Sequence, residues 1–396
     1  MRGECRPKAA VVYGVPAGSG GLGQHAASLM CALGDDYKVH ALGPARAAVW
    51  PLPGEVAAEW YEAPAEVAWW RARYSWLRWY TGQLQLQNDR CIGRWAAEQI
   101  RHLKPDLCYV FTQVGLETLQ WARDNGVPTV LESPNGHIRN FRKVYETETK
   151  RWSSGKYRRH PSMAMVERIE REYELAKRVR VSSHWSKASL IENGVPAEKI
   201  VVFQQPVNLS RFRPAREFPP AKGPLRVCFV GSLDLRKGFV YLLQAAKLVG
   251  TERISLEVVG ASGDRVCKRL LIRERAGLDL RCGPGDPLPT YQSAELMVLP
   301  TLEDGSPFSA AEAMACGLPV IVTNCCGSAE WVRPGVTGWI VPTANAEALA
   351  AALEDALSQR DQLRLMGAAA RRDTECRAGM HCLDPLRRWL TADVTG

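Results

Sequence analysis

Short apolar runs alternate along the chain with longer stretches whose apolar residues recur at helical spacing. In the first half the apolar runs predict six strands, at Ala9–Tyr13, Lys38–Leu42, Leu107–Phe111, Thr129–Glu132, Val179–Ser182 and Ile200–Phe203. In the second half they predict six more, at Leu225–Val230, Ser255–Val259, Leu278–Cys282, Leu296–Leu299, Pro319–Val322 and Gly338–Val341. Helices are predicted between strands, for example at 22–33, 89–103, 115–125 and 162–176. This alternation indicates a doubly wound α/β fold with parallel sheets.

A proline-rich segment divides the two series of strands. A chain of 396 residues is too long for one hydrophobic core and fits two domains of about 150–200 residues each. We therefore predict a first domain over 1–205, a linker over 206–224, a second domain over 225–375 and a C-terminal segment over 376–396. The linker contains five prolines, namely Pro206, Pro214, Pro219, Pro220 and Pro224.

Composition restricts the class of protein. Hydrophobic residues make up 46% of the chain, but no run of about 18 apolar residues predicts a transmembrane helix. The N-terminal residues lack a signal-peptide pattern, so we expect a cytoplasmic protein. The twelve cysteines are scattered, several within apolar strands, which favours reduced thiols over disulfides and predicts no metal site.

Basic residues are concentrated in the first half. Residues 1–205 contain 28 Lys and Arg against 21 Asp and Glu, whereas the remainder contains 23 against 21. Such a surface suits an anionic acceptor or a membrane surface as well as it suits plain solvation. The sequence has no nucleic-acid-binding motif, so we expect no nucleic-acid partner.

The segment that follows the strand at Leu296–Leu299 carries the most informative chemistry. Ser306 is a predicted helix N-cap with Pro307 at the first helical position, and the helix is predicted to end at Gly317. The backbone N–H groups of Phe308 and Ser309 would then begin a helix at the carboxyl end of a parallel strand. Helix starts in this position bind phosphate and sugar oxygens.

Two acidic residues accompany that helix start. Asp304 lies in the turn, and Glu312 follows eight residues later on the helix. An ordinary helix packed on a sheet, with Glu312 merely solvated, is the alternative interpretation.

The first predicted strand of the second half leads into a cationic loop. Gly231 and Ser232 end the strand, and Arg236 and Lys237 precede the next helix, which predicts a diphosphate site. An exposed basic turn is the alternative. The following two strands end at Gly260 and at Cys282-Gly283.

A glycine-rich segment, GSGGLGQH, follows the first strand. Gly18, Gly20 and Gly23 satisfy the dinucleotide pattern, but no acid ends the second predicted strand to bind a ribose. We therefore favour a loop in which Gly20 and Gly21 let a ligand approach the backbone. His25 is expected to pack on the inner face of the helix.

These motifs together resemble retaining GT-B glycosyltransferases of family 4. The acidic pair, the Lys-Gly loop and the glycine-rich loop match that family, and residues 162–212 match the segment that closes its first domain. His137, in PNGHIRNF after the strand at Thr129–Glu132, occupies the position of the family's acceptor-side histidine. The chain departs from the family in two places, with Ser232 where an arginine is usual and Asp304 where a glutamate is usual.

The resemblance implies a fold and an activity. The fold would be GT-B, two Rossmann-like domains facing across an interdomain cleft, with the C-terminal segment crossing back to the first domain. Glu312 would hold the donor's ribose, Lys237 its phosphates, and Asp304 and His137 would lie near the transferred sugar. Arg236 is the candidate to replace the missing arginine, and the donor's base would stack beside Gly260, Cys282 and Gly283.

The reaction would move a sugar from a nucleotide-sugar donor with retention of configuration. The donor is a substrate, so no cofactor is expected. No metal is expected either, because Lys237, Arg236 and helix N–H groups can stabilise the leaving diphosphate. The acceptor would be a sugar, a lipid-linked sugar or a small molecule. The alternatives are a sugar-nucleotide epimerase of the same fold, a non-catalytic sugar-nucleotide-binding protein and an NAD oxidoreductase.

Two stretches have a composition that favours contact with a membrane. Residues 60–80 combine tryptophans with arginines, and Arg139–Arg159 contains eight basic and two acidic residues. Both suit a peripheral position on the inner membrane surface. Packing of the aromatic residues within the domain and solvation of a basic loop are the alternatives.

Overall fold

The chain folds into two compact α/β units. The computed structural model describes residues 6–17, 20–44, 58–64, 81–153, 160–216, 222–260, 265–378 and 380–394. The first unit comprises 1–142, 159–206 and 381–396, and the second comprises 143–158 and 207–380.

The first unit is built on a seven-stranded parallel sheet. Its strands are β1 (Lys8–Val12), β2 (Lys38–Gly43), β3 (Ala58–Glu62), β4 (Leu107–Phe111), β5 (Thr129–Glu132), β6 (Arg178–Val181) and β7 (Ile200–Val202). They lie in the order β3-β2-β1-β4-β5-β6-β7. The connecting helices are α1 (Gly20–Leu33), α2 (Thr81–Leu103), α3 (Leu116–Asp124), α4 (Ile138–Trp152), α5 (Met163–Leu175) and α6 (His184–Glu192).

The second unit is built on a six-stranded parallel sheet. Its strands are β8 (Leu225–Val230), β9 (Ile254–Val259), β10 (Asp279–Gly283), β11 (Leu296–Leu299), β12 (Val320–Thr323) and β13 (Gly338–Val341). They lie in the order β10-β9-β8-β11-β12-β13. Its α-helices are α7 (Phe239–Val249), α8 (Arg265–Glu274), α9 (Pro287–Ser293), α10 (Phe308–Ala315), α11 (Ala346–Ser358) and α12 (Leu363–Ala378). The last helix of the chain, α13 (Asp384–Trp389), belongs to the first unit.

The central strands are buried on both faces. All residues of β4, β5, β11 and β12 are buried, which explains why apolar runs without alternation predict them. The strands at Leu107–Phe111, Thr129–Glu132, Leu225–Val230, Leu296–Leu299 and Gly338–Val341 have the predicted bounds. The α/β class with two Rossmann-like parallel sheets is therefore confirmed.

Strand β3 and helix α4 differ from the sequence-based prediction. Strand β3 lies at the edge of its sheet, and its residues are half-buried or exposed, so it lacks the apolar run of a central strand. Helix α4 occupies most of the basic stretch that began at Arg139. Residues 143–158, which the sequence placed in the first domain, form part of the second unit.

The C-terminal residues pack into the first unit. Leu383, Leu386 and Leu390 are buried in its hydrophobic core. Tyr37 donates its hydroxyl to the carbonyl oxygen of Leu390 at 3.4 Å. Arg387 pairs with Asp36 at 3.0 Å.

Candidate functional site

The strand order of the second unit fixes where a ligand is expected. From β8 the chain proceeds outward through β9 and β10, and it then returns to place β11 on the other side of β8. Strands β8 and β11 therefore meet at a topological switch point, and loops at their carboxyl ends leave a crevice in this fold class. The predicted donor residues Lys237 and Asp304 lie in those two loops.

The loop after β8 is held by side-chain hydrogen bonds. Asp234 accepts from the backbone N–H of Lys237 at 3.1 Å and thereby caps a short 3₁₀ turn at 235–237. Ser232 is exposed and donates to the second oxygen of Asp234 at 2.6 Å. At Gly238, where φ is 67°, a Cβ would lie 1.9 Å from the carbonyl oxygen of Pro300. Only glycine allows the two loops to approach this closely.

Asp304 brings the two predicted cations together. Its Oδ2 atom accepts from Arg236 at 3.0 Å and from the ammonium of Lys237. Arg236 also donates to the carbonyl oxygen of Glu303 at 2.6 Å, and the Glu303 carboxylate lies 3.6 Å away. The Arg236 and Lys237 side chains are each only 12% exposed, so this is an ion cluster rather than a solvated basic turn.

Mutual pairing sets the charges of the cluster. Burial raises the pKa of Asp304, but Lys237 and Arg236 outweigh it, and the net pKa is below its ordinary value. Burial lowers the pKa of Arg236, but Asp304 and other carboxylates raise it by more. The net pKa lies above its ordinary value, so the guanidinium stays charged. Asp304 is therefore an anion beside two cations, and a diphosphate would compete with it for them.

Helix α4 supplies a further contact to this cluster. The buried Tyr145 hydroxyl is hydrogen-bonded to Arg236, and since a guanidinium only donates, the tyrosine oxygen accepts. Farther along α4, Glu148 accepts from the Tyr241 hydroxyl at 2.7 Å, and Arg151 contacts the same hydroxyl. Residues 143–152 thus belong to the environment of the predicted diphosphate site.

Helix α10 begins one residue later than predicted. Its N-cap is Pro307 and not Ser306, and no side chain caps the helix. Proline fixes the backbone before the first turn without a hydroxyl acceptor, and Ser306 is buried in the preceding turn. Phe308 and Ser309 are half-buried in the first turn, as the predicted helix start requires.

Glu312 is enclosed and not merely solvated. It is 5% exposed, and its Oε2 accepts from the Tyr291 hydroxyl at 3.1 Å. Burial raises the pKa of Glu312 to about 7, although Tyr291 and Arg211 act in the opposite direction. A buried carboxylate near the C-terminal ends of the strands, with one oxygen held by a hydrogen bond, can accept hydrogen bonds from the hydroxyl groups of a ligand.

The strand-end glycines lie side by side. The N–H of Gly231 donates to Val259 at 3.0 Å, and that of Gly260 donates to Gly283 at 2.9 Å. A Cβ on Gly260 would lie 1.9 Å from the carbonyl oxygen of Gly231, so glycine is required there by the fold alone. A Cβ on Gly283 would meet nothing within 4 Å, and Cys282 beside it is exposed.

In the first unit, the predicted glycine loop opens α1. Gly20, at φ 55°, and Gly21 are both exposed at the start of the helix, whereas Gly18 lies outside the described residues. His25 is 3% exposed, and its Nδ1 is 2.9 Å from the Gln205 amide nitrogen. Its Nε2 contacts Arg180, so the predicted packing role is confirmed.

His137 is buried within the first unit, with 1% of its surface exposed. Its ring lies against that of Tyr173, with 5.3 Å between ring centroids, and its Nδ1 accepts from the backbone N–H of Arg139 at 3.2 Å. Burial lowers the pKa of His137 to about 4, so the imidazole is neutral at pH 7. The ring proton therefore lies on Nε2, which is 3.9 Å from Glu170.

The described residues contain no group of three or more histidine, cysteine or acidic side chains arranged to hold a metal ion. Across the same residues, no helix has the length and apolar character needed to span a bilayer. Of the predicted aromatic surface at 60–80, residues 65–80 lie outside the described part of the chain. The basic segment 154–159 also lies outside it.

The sequence of the second unit matches a known family. Residues 212–373 match the model of the family described as "Glycosyl transferases group 1". This segment contains the cation loop, both acids and the strand-end glycines described above. It is therefore a glycosyl transferases group 1 domain.

Curated relatives match over about half of their length. A putative colanic acid biosynthesis glycosyltransferase of Escherichia coli is 30% identical over 195 residues, which are 46% of this chain and 47% of that protein. A D-inositol 3-phosphate glycosyltransferase of Thermobispora bispora is 30% identical over 227 residues, or 51% and 52% of the two chains.

Solved structures match the whole fold. Sucrose-phosphate synthase from Thermosynechococcus elongatus superposes with a TM-score of 0.78 at 19% identity, covering 98% of this chain and 100% of that one. Anabaena HepE in complex with UDP-glucose superposes with a TM-score of 0.68 at 14% identity, covering 98% and 100%. At these identities the likeness concerns the fold, and the predicted GT-B fold is confirmed.

Three residues near the predicted site residues were not predicted. Tyr291 on α9 contacts Glu312, Tyr145 on α4 contacts Arg236, and Glu170 on α5 faces His137. Each is separated from its partner by more than twenty residues, so sequence spacing cannot pair them. For the two tyrosines, one hydroxyl on an otherwise apolar, core-facing side chain was the only available signal.

Proposed function

We propose that this chain is a retaining glycosyltransferase of family 4 that moves a sugar from a nucleotide-sugar donor to an acceptor. One observation carries the proposal, namely the arrangement of Lys237, Asp304 and Glu312 around the carboxyl ends of β8 and β11. These residues lie within the segment that matches the glycosyl transferases group 1 model. The site thereby combines a lysine suited to phosphate binding with a carboxylate suited to sugar hydroxyls.

The donor is held by complementary groups in the second unit. Glu312 accepts hydrogen bonds from the two ribose hydroxyls, and Lys237 binds the diphosphate together with the first turn of α10 at Phe308 and Ser309. The base lies beside Gly260, Cys282 and Gly283, where the open space at Gly283 gives it room. Ser232, in the position of the family's arginine, contributes a hydroxyl near the phosphates.

Arg236 does not simply replace the missing arginine. Its guanidinium is held by the Glu303 carbonyl oxygen and by the Asp304 carboxylate. It therefore acts by fixing Asp304, which leaves the ammonium of Lys237 to move from Asp304 to the diphosphate. Together the two cations balance the charge that grows on the leaving group, without a metal ion.

The transfer step breaks the bond between the sugar's anomeric carbon and the diphosphate oxygen. The acceptor oxygen bonds to the same face of that carbon, and its proton passes to the leaving diphosphate. Asp304 lies beside the transferred sugar, and His137 with Gly20 and Gly21 serves on the acceptor side. The neutral His137 can donate through Nε2 but cannot act as a base through Nδ1, which already accepts a hydrogen bond.

The relatives guide the choice of acceptor. One is named for colanic acid biosynthesis and another for D-inositol 3-phosphate, so sugars, lipid-linked sugars and small polyol phosphates are the candidates to test. We place the protein in the cytoplasm, at the inner membrane surface when the acceptor is lipid-linked.

Replacement of Glu312 by alanine tests the donor site. Wild-type protein is first screened with UDP-glucose, GDP-mannose and ADP-glucose for thermal stabilisation, because a ligand at 100 times its Kd adds about 2.7 kcal/mol. Glu312→Ala should weaken the best donor by about 10- to 100-fold, since hydrogen bonds to a charged group contribute about 1.5–3 kcal/mol. Calorimetric titration measures the change in Kd.

Glu347→Ala is the matched control, because Glu347 is an exposed acid in the same unit. It should bind the donor like wild type. Donor affinity within twofold of wild type in a folded Glu312→Ala variant would refute the assigned role. Binding without any donor hydrolysis or transfer would favour a non-catalytic sugar-nucleotide-binding protein, and an altered sugar in the product would indicate an epimerase.

Peripheral membrane contact is tested with vesicles. Arg139, Lys143 and Lys150 are exposed basic residues of α4. If they face a membrane, the protein should sediment with vesicles that contain phosphatidylglycerol and should dissociate as salt screens charges over about 8–10 Å. Lys143→Glu with Lys150→Glu should reduce binding, whereas phosphatidylcholine vesicles should bind neither form. Absence of binding at low salt would leave a soluble acceptor.

A further inference from the structure

Tyr291 holds one oxygen of the predicted ribose-binding carboxylate. It lies on α9 with no exposed surface, and its hydroxyl donates to Oε2 of Glu312 at 3.1 Å. Its ring meets that of Phe212 edge to face, with 6.1 Å between ring centroids and 70° between the planes. Because the ring is enclosed, the hydroxyl has little freedom to leave the carboxylate.

The other groups near Glu312 act in both directions. Arg211 lowers its pKa and Asp286 raises it, and these two form their own ion pair at 2.7 Å. Cys316 at the C-cap of α10 and Cys228 on β8 lie close enough to interact electrostatically with Glu312 and Tyr291, and burial raises the pKa values of both thiols. Arg371 on α12 contacts the Ala315 carbonyl oxygen and lies near Cys316. Of these groups, it is Tyr291 whose hydroxyl donates to the Glu312 carboxylate.

We propose that Tyr291 is a positioning residue for donor recognition, which fixes Oε2 of Glu312 and directs Oε1 toward the ribose hydroxyls. This inference rests on the proposed function, in which Glu312 accepts those hydroxyls. The tyrosine hydroxyl donates to the ionised carboxylate and so favours the form that can accept two hydrogen bonds. Loss of the hydroxyl should therefore change the pH range of donor binding, which loss of packing alone would not do.

The ionisation of Glu312 can be measured without any ligand. Its pKa rises from 4.5 to about 7 on folding, so the protonated carboxyl favours the folded chain. That contribution is fully present below pH 4.5 and is lost as pH rises through about 7. The side chain at position 312 does not titrate in Glu312→Gln. The unfolding temperature of this variant, relative to that of wild type, should therefore increase as pH rises from about 5 to about 8.5.

Tyr291→Phe should move that dependence upward. A lost hydrogen bond to the carboxylate raises its pKa in the folded chain, which is the pH at which the stability difference between Tyr291→Phe and Tyr291→Phe/Glu312→Gln stops changing. We expect this folded-state midpoint of Glu312 to shift up by about one pH unit. Tyr37→Phe is the control, because it removes a hydroxyl in the first unit and should leave the midpoint unchanged. An unchanged midpoint in Tyr291→Phe would overturn the inference.

Donor binding supplies the second arm. The probe is whichever of UDP-glucose, GDP-mannose and ADP-glucose binds wild type most tightly, since these diphosphate diesters do not titrate near neutral pH. Affinity should rise with pH as Glu312 ionises. Tyr291→Phe should bind about fivefold more weakly at pH 7, where a shift of one pH unit lowers the ionised fraction of Glu312 by about that factor, and should recover as pH approaches 8.5. Glu312→Gln should show no such pH dependence.

The two arms separate the failures. If the ligand-free midpoint shifts but no nucleotide sugar binds, the proposed function fails and the contact between Tyr291 and Glu312 stands. If the donor binds through Glu312 but Tyr291→Phe changes neither midpoint nor pH profile, the inference fails and the proposed function stands. A uniform loss of affinity at every pH would assign Tyr291 a packing role only.

Discussion

Lys237→Ala should reduce turnover by about 10²–10³-fold, because one preorganised charge at a developing anion contributes about that much. The side chain is 12% exposed and already faces Asp304, so it needs no large rearrangement to reach a diphosphate in the same loop region. Negative charge on the diphosphate grows as the bond to the sugar breaks, so kcat should fall more than donor affinity. Release of nucleoside diphosphate from the donor, measured with and without acceptor, gives kcat and KM.

The matched control for this change is Lys247→Ala. Lys247 lies in the same unit on α7 and pairs with Glu274 at 3.1 Å, so its loss removes a lysine without touching the loop after β8. It should keep wild-type turnover. Turnover of Lys237→Ala within about threefold of wild type would place the catalytic cation elsewhere, and Arg236→Gln would then be the first variant to test.

Asp304 gives this prediction a second consequence. In Lys237→Ala the aspartate keeps only its contact with Arg236 at 3.0 Å, so its negative charge is less balanced when the diphosphate arrives. Donor affinity should therefore fall as well, although by less than turnover. The additional change Asp304→Asn should restore part of the affinity and none of the turnover.

The fold could be predicted because its central strands are continuous apolar runs. Strands β4, β5 and β11 are buried on both faces, and the sequence marks their bounds with charged residues, glycine or proline. Edge strand β3 has no such run, since a strand with one free side can carry exposed polar residues. Local pattern therefore identified the centre of each sheet better than its edge.

Helix α4 shows where local pattern is insufficient. Phe141, Tyr145, Glu148 and Trp152 follow helical spacing, yet the stretch also carries many basic residues, which suit a solvated loop equally well. Glu148 is buried because its carboxylate meets the Tyr241 hydroxyl, and that partner lies 93 residues along the chain. A buried acid of this kind becomes intelligible only when its partner is known.

The sequence indicates the charged members of the candidate site but not the residues that contact them. Lys237, Asp304 and Glu312 follow from their positions after strands and at a helix start. Tyr291 and Tyr145 differ from ordinary core aromatics by one hydroxyl, and nothing in the sequence indicates where that hydroxyl points. The N-cap of α10 was wrong by one residue for a related reason, since proline and serine both suit helix starts.

Arg180→Met should lower the free energy of unfolding of the first unit by about 3–5 kcal/mol, the usual cost of breaking a buried ion pair. Arg180 is 1% exposed and donates to Glu132, which has no exposed surface, at 2.8 Å. It also contacts His25 and donates to the carbonyl oxygen of Gln204 at 3.1 Å. Methionine fills a similar volume but leaves Glu132 buried without its cation.

Denaturant unfolding, followed by probes in each unit, measures the loss, because a chain with two units need not unfold in one step. Arg178→Met is the control on the same strand, since Arg178 is half-buried and donates only weakly, to the Lys177 carbonyl oxygen at 3.5 Å. It should change stability by less than about 1 kcal/mol. The double variant Arg180→Met/Glu132→Gln should recover part of the loss, because no charge is then left buried. A small loss in Arg180→Met with no recovery in the double variant would mean that Glu132 is already neutral, and that Tyr109, which donates to it at 2.6 Å, is its main partner.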